Sequence, residues 1–323
     1  MNSYITDVPG IKVGHVTKTS RPTGCTVILF EEGATASVDV RGGAPGTRET
    51  DLLSPTSTVE HIHALAIAGG SAFGLDIASG VTRYLDERTI GFDTGYAKIP
   101  IVPAAVIYDL QLGDSSIRPT VKDGYDAAVA AQEGAFELGN VGAGTGATVG
   151  KIFGHERCMR GGLGSASLRV GSILIGALAV VNALGDIIDP STGYCVAGAR
   201  GQDGTTLMDS LSALRAGKLP KTIWPGSNTT IGVVATNVSL TKTEAKKLAE
   251  MAQDGLARAI NPVHTPYDGD VVFAASTNKL TTAVNLALLG TLAADVLSKA
   301  VLSGVFAAKS YEKIPAAADF HHM

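Results

Sequence analysis

Aromatic residues, charge and cysteine are all scarce in this 323-residue chain. Phe, Trp and Tyr together make up 5%, so aliphatic side chains and close Ala/Gly packing must fill the core. Charged residues are 17%, against ~25% in an average soluble domain. The 26 Lys and Arg face 30 Asp and Glu, a net charge of −4. That balance lacks the basic surplus of a duplex-binding protein, and no nucleic-acid partner is expected. The three cysteines, Cys25, Cys158 and Cys195, form an odd set without a CxxC spacing, which gives neither a disulfide framework nor a zinc pattern. No cluster of His, Cys and carboxylates has clear ligand spacing, so neither a metal nor another cofactor is expected. The longest apolar stretch, 170–184, falls short of the ~18 residues that span a bilayer and contains Asn182. Residues 1–10 carry no basic or apolar signal region. The expectation is a cytoplasmic protein with no membrane partner.

What is abundant is aliphatic residue and glycine. Hydrophobic residues are 45%, and Gly is 39 of 323. The glycines cluster at 69–70, 142–150 and 161–164, which means tight turns and close backbone approach. Residues 25–30 and 34–40 form strand-like runs around Glu-Glu-Gly and predict a hairpin. A helix is expected near 59–66, and a second after Gly69-Gly70-Ser71 with Phe73, Ile77, Val81 and Leu85 as its stripe. Further expectations are a buried strand at 104–108, a helix at 123–138, and strands at 165–170, 172–181 and 186–188. Residues 201–226 are polar and irregular. A strand follows at 229–238. Thr241-Lys242-Thr243-Glu244 then reads as a capping box for a helix to 260. A strand at 270–277 and a helix at 282–303 complete the pattern, with a fraying tail from 310. Hairpins and helices mix without a βαβ repeat. That predicts one α+β domain over residues 1–323, a layered or αββα sandwich.

The individual motifs are weak. Gly142-Ala143-Gly144-Thr145-Gly146-Ala147 matches G-x-G-x-x-A, but the helix expected ahead of it argues for a structural loop over a dinucleotide site. Lys151 follows that loop and precedes an apolar pair; spacing alone favours a surface lysine. Gly69-Gly70-Ser71-Ala72-Phe73 misses the nucleophile elbow by one residue, and Ser71 reads better as a helix cap. His61 and His63, two apart on an expected helix, do not face one metal. His321-His322 in the tail carry no inference. Thr229 opens an apolar strand after Pro225-Gly226-Ser227-Asn228, where a hydroxyl can attack the carbonyl before it. An ordinary β-branched strand residue is the commoner reading. Asp268 and Asp270 flank a glycine; such a pair can bind a cation, shift one pKa upward or orient an amine, or form a solvated turn.

Taken jointly and in order, these stretches resemble one family. They are Asp39-Val40-Arg41-Gly42-Gly43, Ala68-Gly69-Gly70-Ser71-Ala72-Phe73-Gly74-Leu75, Ala105-Val106-Ile107-Tyr108-Asp109, residues 142–151, Val180-Val181-Asn182, Asn228-Thr229-Thr230-Ile231 and Asp268-Gly269-Asp270. The chain is similar to the self-processing N-terminal-nucleophile hydrolases that include the β-peptidyl and D-/L-aminopeptidases and the nylon-oligomer (6-aminohexanoate oligomer) endo-hydrolase. The resemblance implies an αββα sandwich shared with ornithine acetyltransferases. It implies autocleavage between Asn228 and Thr229 into subunits 1–228 and 229–323, and amide hydrolysis by the freed threonine. By similarity Asn182 serves the oxyanion hole, Lys151 hydrogen-bonds the nucleophile, Tyr108 lines the pocket, and the acidic pair is Asp268 and Asp270. The aminopeptidase branch typically carries Ser-x-Glu at the acidic pair; the Asp-x-Asp and Thr here match the nylon-oligomer branch. The implied substrates are short peptides, β-peptides or ω-amino acid oligomers, and the implied assembly is a homotetramer of processed heterodimers. An ornithine acetyltransferase-like acyl transferase and an uncleaved assembly protein are the competing readings.

Overall fold

The computed structural model describes residues 3–220, 223–283 and 285–320. One nine-stranded sheet is formed by β1 (Lys12–Lys18), β2 (Thr23–Val40), β3 (Thr47–Arg48), β4 (His61–Ala68), β5 (Ala104–Val106), β6 (Gly162–Val170), β7 (Ile173–Asn182), β8 (Thr229–Val238) and β9 (Val271–Leu280). Its order is β6-β7-β8-β9-β2-β4-β5-β3, with β1 also paired to β2. The long helices are α1 (Ile77–Asp86), α2 (Val121–Val129), α3 (Lys242–Ala259) and α4 (Leu286–Phe306).

Strand β2 makes two layers out of this one sheet. Its first part pairs with β1 and β4, and its last part, Thr35–Val40, pairs with β9. The register against β4 shifts between Leu29 and Ala34. The expected hairpin is therefore a single 18-residue strand: each half finds its partner elsewhere, so Glu-Glu-Gly forms an irregularity instead of a reversal. The two halves of the sheet share a central core. Val13, Ile28, Phe30, Leu65 and Ile67 meet Leu178, Val180, Ile231, Val233 and Phe273 there. Successive strand residues face opposite ways, so Val234 and Val272 meet α3 and α4 outside. On the other outer face Val27, Leu29 and Ala66 meet α1 and α2. The layers are helix, sheet, sheet, helix, the expected sandwich.

The helix expected near 59–66 is strand β4. Its Ile and Leu residues feed the central core and Ala64, Ala66 and Ala68 the outer one; a strand apolar on both faces shows no clean period of two. His63 is buried and accepts from Ile101 N at 3.2 Å, while His61 is exposed. A 3₁₀ stretch, Ser71–Asp76, precedes α1, with Gly70 and not Ser71 in the capping position. Phe73 is thus exposed, whereas Ile77, Val81 and Leu85 are buried as expected. Helix α2 stops at Val129, because Gln132 leaves it to bridge Val13. The box at Thr241 and Glu244 caps α3. Helix α4 is long and apolar enough to cross a membrane by length and composition. Its Ala293, Val296, Leu297, Ala300 and Val301 are covered by the outer core. The tail is tied down through Arg160 N to Pro315 O at 2.8 Å and buried Ala316 and Ala317. His321 and His322 lie outside the described residues.

Candidate active site

The strand arrangement brings three sequence-distant segments to one end of the sheet. Strands β7 and β8 are antiparallel, so the last residue of β7, Asn182, pairs with the first of β8, Thr229. Strand β9 runs parallel to β8 with Val271 level with Ile231, which places Asp270 beside the start of β8. Just ahead, Asn228 bridges Asp268.

Thr229 is buried, and its Oγ1 donates to the carbonyl oxygen of Asn228 at 2.5 Å. The same oxygen accepts Gly269 N at 2.8 Å. A Cβ on Gly269 would lie 2.7 Å from Thr229 Oγ1, so this position must stay bare for the hydroxyl to occupy its place.

Lys151 sits in the loop that joins the paired short strands Thr148–Val149 and Met159–Arg160. It is 6% exposed, not the surface lysine that its spacing suggested. Its Nζ donates to Asn182 Oδ1 at 2.9 Å, Asn182 O at 3.0 Å and Ser227 O at 3.4 Å. In the uncleaved chain these oxygens take its donors, not the Thr229 hydroxyl. Burial lowers its pKa to about 7, since desolvation penalises the ammonium.

Asn182 is fully buried. Its Oδ1 also accepts Thr148 N at 3.1 Å, and its Nδ2 donates to Tyr108 O at 3.1 Å. One of its two amide hydrogens is thus committed to Tyr108. Half-buried Tyr108 adjoins Asp109, which is ion-paired to Arg21 at 2.8 Å and accepts Gly70 N and Thr23 Oγ1. The Gly-Gly-Ser stretch and the strand at 104–106 therefore hold the Tyr108 carbonyl that orients Asn182.

Asp268 and Asp270 are each 1% exposed, which rules out a solvated turn. Asp270 Oδ1 accepts Thr230 N at 2.7 Å, and its Oδ2 accepts His264 N and contacts His264 Nδ1, both at 3.0 Å. Asp268 Oδ2 accepts Thr265 N at 2.9 Å. Burial first, and the Asp270 charge second, push the Asp268 carboxyl above its ordinary range. The Asp39–Gly43 stretch supports this pair from below: Arg41 N and Gly42 N donate to Asp270 O, and Ala44 N to Asp268 O. A Cβ on Gly42 would stand 2.3 Å from Asp270 N.

Asn228, Thr229, Asn182, Lys151, Asp268 and Asp270 are thus brought to one place, and Tyr108 joins them through its main-chain carbonyl on Asn182. Spacing did not point to Thr148, Ser227, Gly269 or His264. Each lies beside or between residues of the recognised motifs, and only the folded backbone turns that adjacency into a contact. Among the described residues no group of three or more His, Cys, Asp and Glu could hold a metal ion.

The sequence pattern of Peptidase family S58 matches residues 3–316. The chain belongs to that family. An aminopeptidase of Mycobacterium leprae, described as uncharacterized, is 42% identical over 352 aligned residues, covering 98% of this chain and 93% of that protein. A 6-aminohexanoate-oligomer endohydrolase of a Kocuria species is 34% identical over 310 residues, covering 92% and 84%. Among solved structures, the L-aminopeptidase D-Ala-esterase/amidase of Ochrobactrum anthropi, described as a variant of the Ntn hydrolase fold, superposes with TM-score 0.72 at 22% identity, covering 99% and 93%. A β-aminopeptidase of a Burkholderia species gives 0.71 at 22%, covering 98% and 90%. As an S58 member, the chain is a hydrolase of peptide or amide bonds.

Proposed function

We propose that this S58 hydrolase cuts its own Asn228–Thr229 bond and then uses Thr229 as an N-terminal nucleophile on short peptides, β-peptides or ω-amino acid oligomers. The observation that carries this reading is the Thr229 hydroxyl held against the Asn228 carbonyl, whose oxygen already accepts Gly269 N. Attack by Oγ1 on the Asn228 carbonyl carbon forms a C–O bond. The negative charge that develops on the carbonyl oxygen meets the Gly269 N–H, a donor in place before reaction. The C–N bond breaks, the Thr229 nitrogen takes the proton that the hydroxyl gives up, and an ester joins Asn228 to Oγ1. Water hydrolyses that ester and leaves a free Thr229 amine. An α-amine has a pKa near ~7.7–8.0 and serves as base for the same hydroxyl in turnover. Asn182, which binds Lys151, flanks Thr229 on the β7 side, and Asp270 stands on the β9 side.

The adjoining cleft bears on substrate. It encloses about 530 Å³ and is lined by Ile152, Leu184, Pro262, Thr265, Pro266 and Tyr267, with Pro220 and Ile223 from the segment ahead of the cut. Among the described residues no charged side chain lines it; Ile152 follows Lys151, Leu184 O accepts Lys151 N, and Thr265 N donates to Asp268. An uncharged aliphatic chain between amides suits such walls. Together with Asp-x-Asp and the 34% identical oligomer endohydrolase, this favours oligoamides with methylene spacers. The processed enzyme is proposed to be cytoplasmic and to assemble as a homotetramer of cleaved heterodimers, which native mass spectrometry tests.

The test of the nucleophile is a denaturing gel and an amide-hydrolysis assay on three variants. Thr229→Ala should stay in one piece and be inactive, since it has no oxygen for either step. Thr229→Ser should keep measurable amounts of both, losing only the methyl that restricts χ1. Thr230→Ala should cleave, because in a strand its side chain points to the opposite face. Two-band, active Thr229→Ala protein would remove Thr229 from the mechanism.

A further inference from the structure

We propose that His264 is a positioning residue of this site: by holding Asp270 it fixes the peptide that follows Thr229, and so the aim of the hydroxyl. The inference rests on the Thr229 reading and adds a residue to it.

The contacts form a short chain. Asp270 Oδ1 accepts Thr230 N at 2.7 Å, the N–H of the peptide joining Thr229 to Thr230. Asp270 Oδ2 is met by His264 twice, by its backbone N and by Nδ1, each at 3.0 Å. A carboxylate only accepts, so Nδ1 carries the hydrogen in this pair. The Nε2 atom of the same ring is buried without a hydrogen-bond partner, which leaves Nδ1 as the side chain's polar engagement. With one oxygen tied to residue 230 and the other tied twice to residue 264, the carboxylate cannot turn. Without Nδ1 a single backbone donor would hold Oδ2, and the start of β8 would lose part of its anchor.

His264 also adopts φ +56°. A non-glycine residue pays for that left-handed conformation, and it persists where surroundings over-determine it. This invites a rival reading, in which the residue matters only for the turn. Side chains separate the two. Glycine accepts the turn and keeps the backbone N–H but lacks Nδ1. Asparagine tolerates the left-handed region and offers an amide where Nδ1 stood. Aspartate tolerates the region too but opposes Asp270 with like charge. His264 does not line the cleft, so its effect belongs in kcat and not in KM.

The experiment compares wild type with His264→Gly, His264→Asn and His264→Asp. It reads the rate of self-cleavage and then kcat and KM on an oligoamide, each scaled to the folded fraction from thermal melts. Misaimed reacting groups cost up to ~10²-fold. Glycine should therefore slow cleavage and kcat about tenfold or more with KM within about twofold, aspartate more so, and asparagine should return to within a few-fold of wild type. Glycine at the wild-type rate, or asparagine no faster than glycine, would overturn the proposal. If the glycine variant does not fold, the asparagine-over-aspartate order decides. Wild type that never cuts at 228–229 would end the Thr229 reading and this proposal with it, whereas a cleaving wild type with indifferent variants ends this proposal alone.

Discussion

Lys151 carries the heaviest consequence of burial at the site. A free lysine titrates near ~10.4, but burial brings Lys151 down to about 7. Between those values the unfolded chain binds a proton that the folded chain does not, so stability rises with pH through this window. Below 7 both states are charged, and the desolvation cost is carried in full. Urea titrations of the uncleaved Thr229→Ala chain at pH 6.5 and 9.5 should show this rise, of order 3 kcal/mol at ~1.36 kcal/mol per unit, and Lys151→Met should flatten it. An unchanged slope in Lys151→Met would place the titration elsewhere. Asn182 gives a second residue-scale prediction. Its amide joins Tyr108, Thr148 and Lys151, so Asn182→Ala should lower the melting temperature. It should also cut kcat per folded molecule by ~10²–10³, the loss typical of a missing oxyanion donor. A lower melting temperature with unchanged kcat per folded molecule would make Asn182 a satisfied core amide and nothing more. These residues were legible in the sequence only through the joint order of their motifs. Lys151 and Asn182 are 31 positions apart, a separation that no local spacing rule reads. Gly269 sits inside a recognised stretch and His264 four residues ahead of that stretch, yet their contacts depend on a turn that spacing does not specify.

Strands and loops show where pattern reading works and where it stops. Strand β8 begins at Thr229 and ends at Val238 as its apolar run suggested, because a turn and a polar flank bound it. The capping box at Thr241 marked α3 for the same reason: both signals are local. β2 and β4 were misread because their partners are remote. A bent strand that crosses between layers looks like two strands, and a strand buried on both faces has no clean alternation. The stretch at 39–43 has its explanation at this scale. It is the backbone support under the acidic pair, and Gly42 allows the contact. Gly42→Ala should destabilise the fold by about 1–3 kcal/mol, the range of overpacking, and slow self-cleavage, since the clash falls on Asp270 N. Urea unfolding and a cleavage time course check this; a variant that is destabilised yet cleaves at the wild-type rate would uncouple the cradle from the site.

At the scale of the molecule, the composition already asked for an aliphatic, closely packed core, and the sandwich supplies one between the two halves of a single sheet. The layer order was readable from mixed hairpins and helices together with the family resemblance; the crossing of β2 was not. The donor set at the site contains no three-ligand metal cluster among the described residues, so dialysis against EDTA should leave hydrolysis intact. Loss that calcium or zinc restores would contradict this. The molecule should also exist as two chains that never separate in the fold, because β8 stays paired with β7 and β9 on either side of the cut. Intact mass spectrometry of the active wild-type protein under denaturing conditions, with amino-terminal sequencing of the smaller species, tests this most directly. Fragments 1–228 and 229–323 should appear, the smaller beginning Thr-Thr-Ile-Gly. An intact chain that hydrolyses amides, or a different start residue, would contradict it.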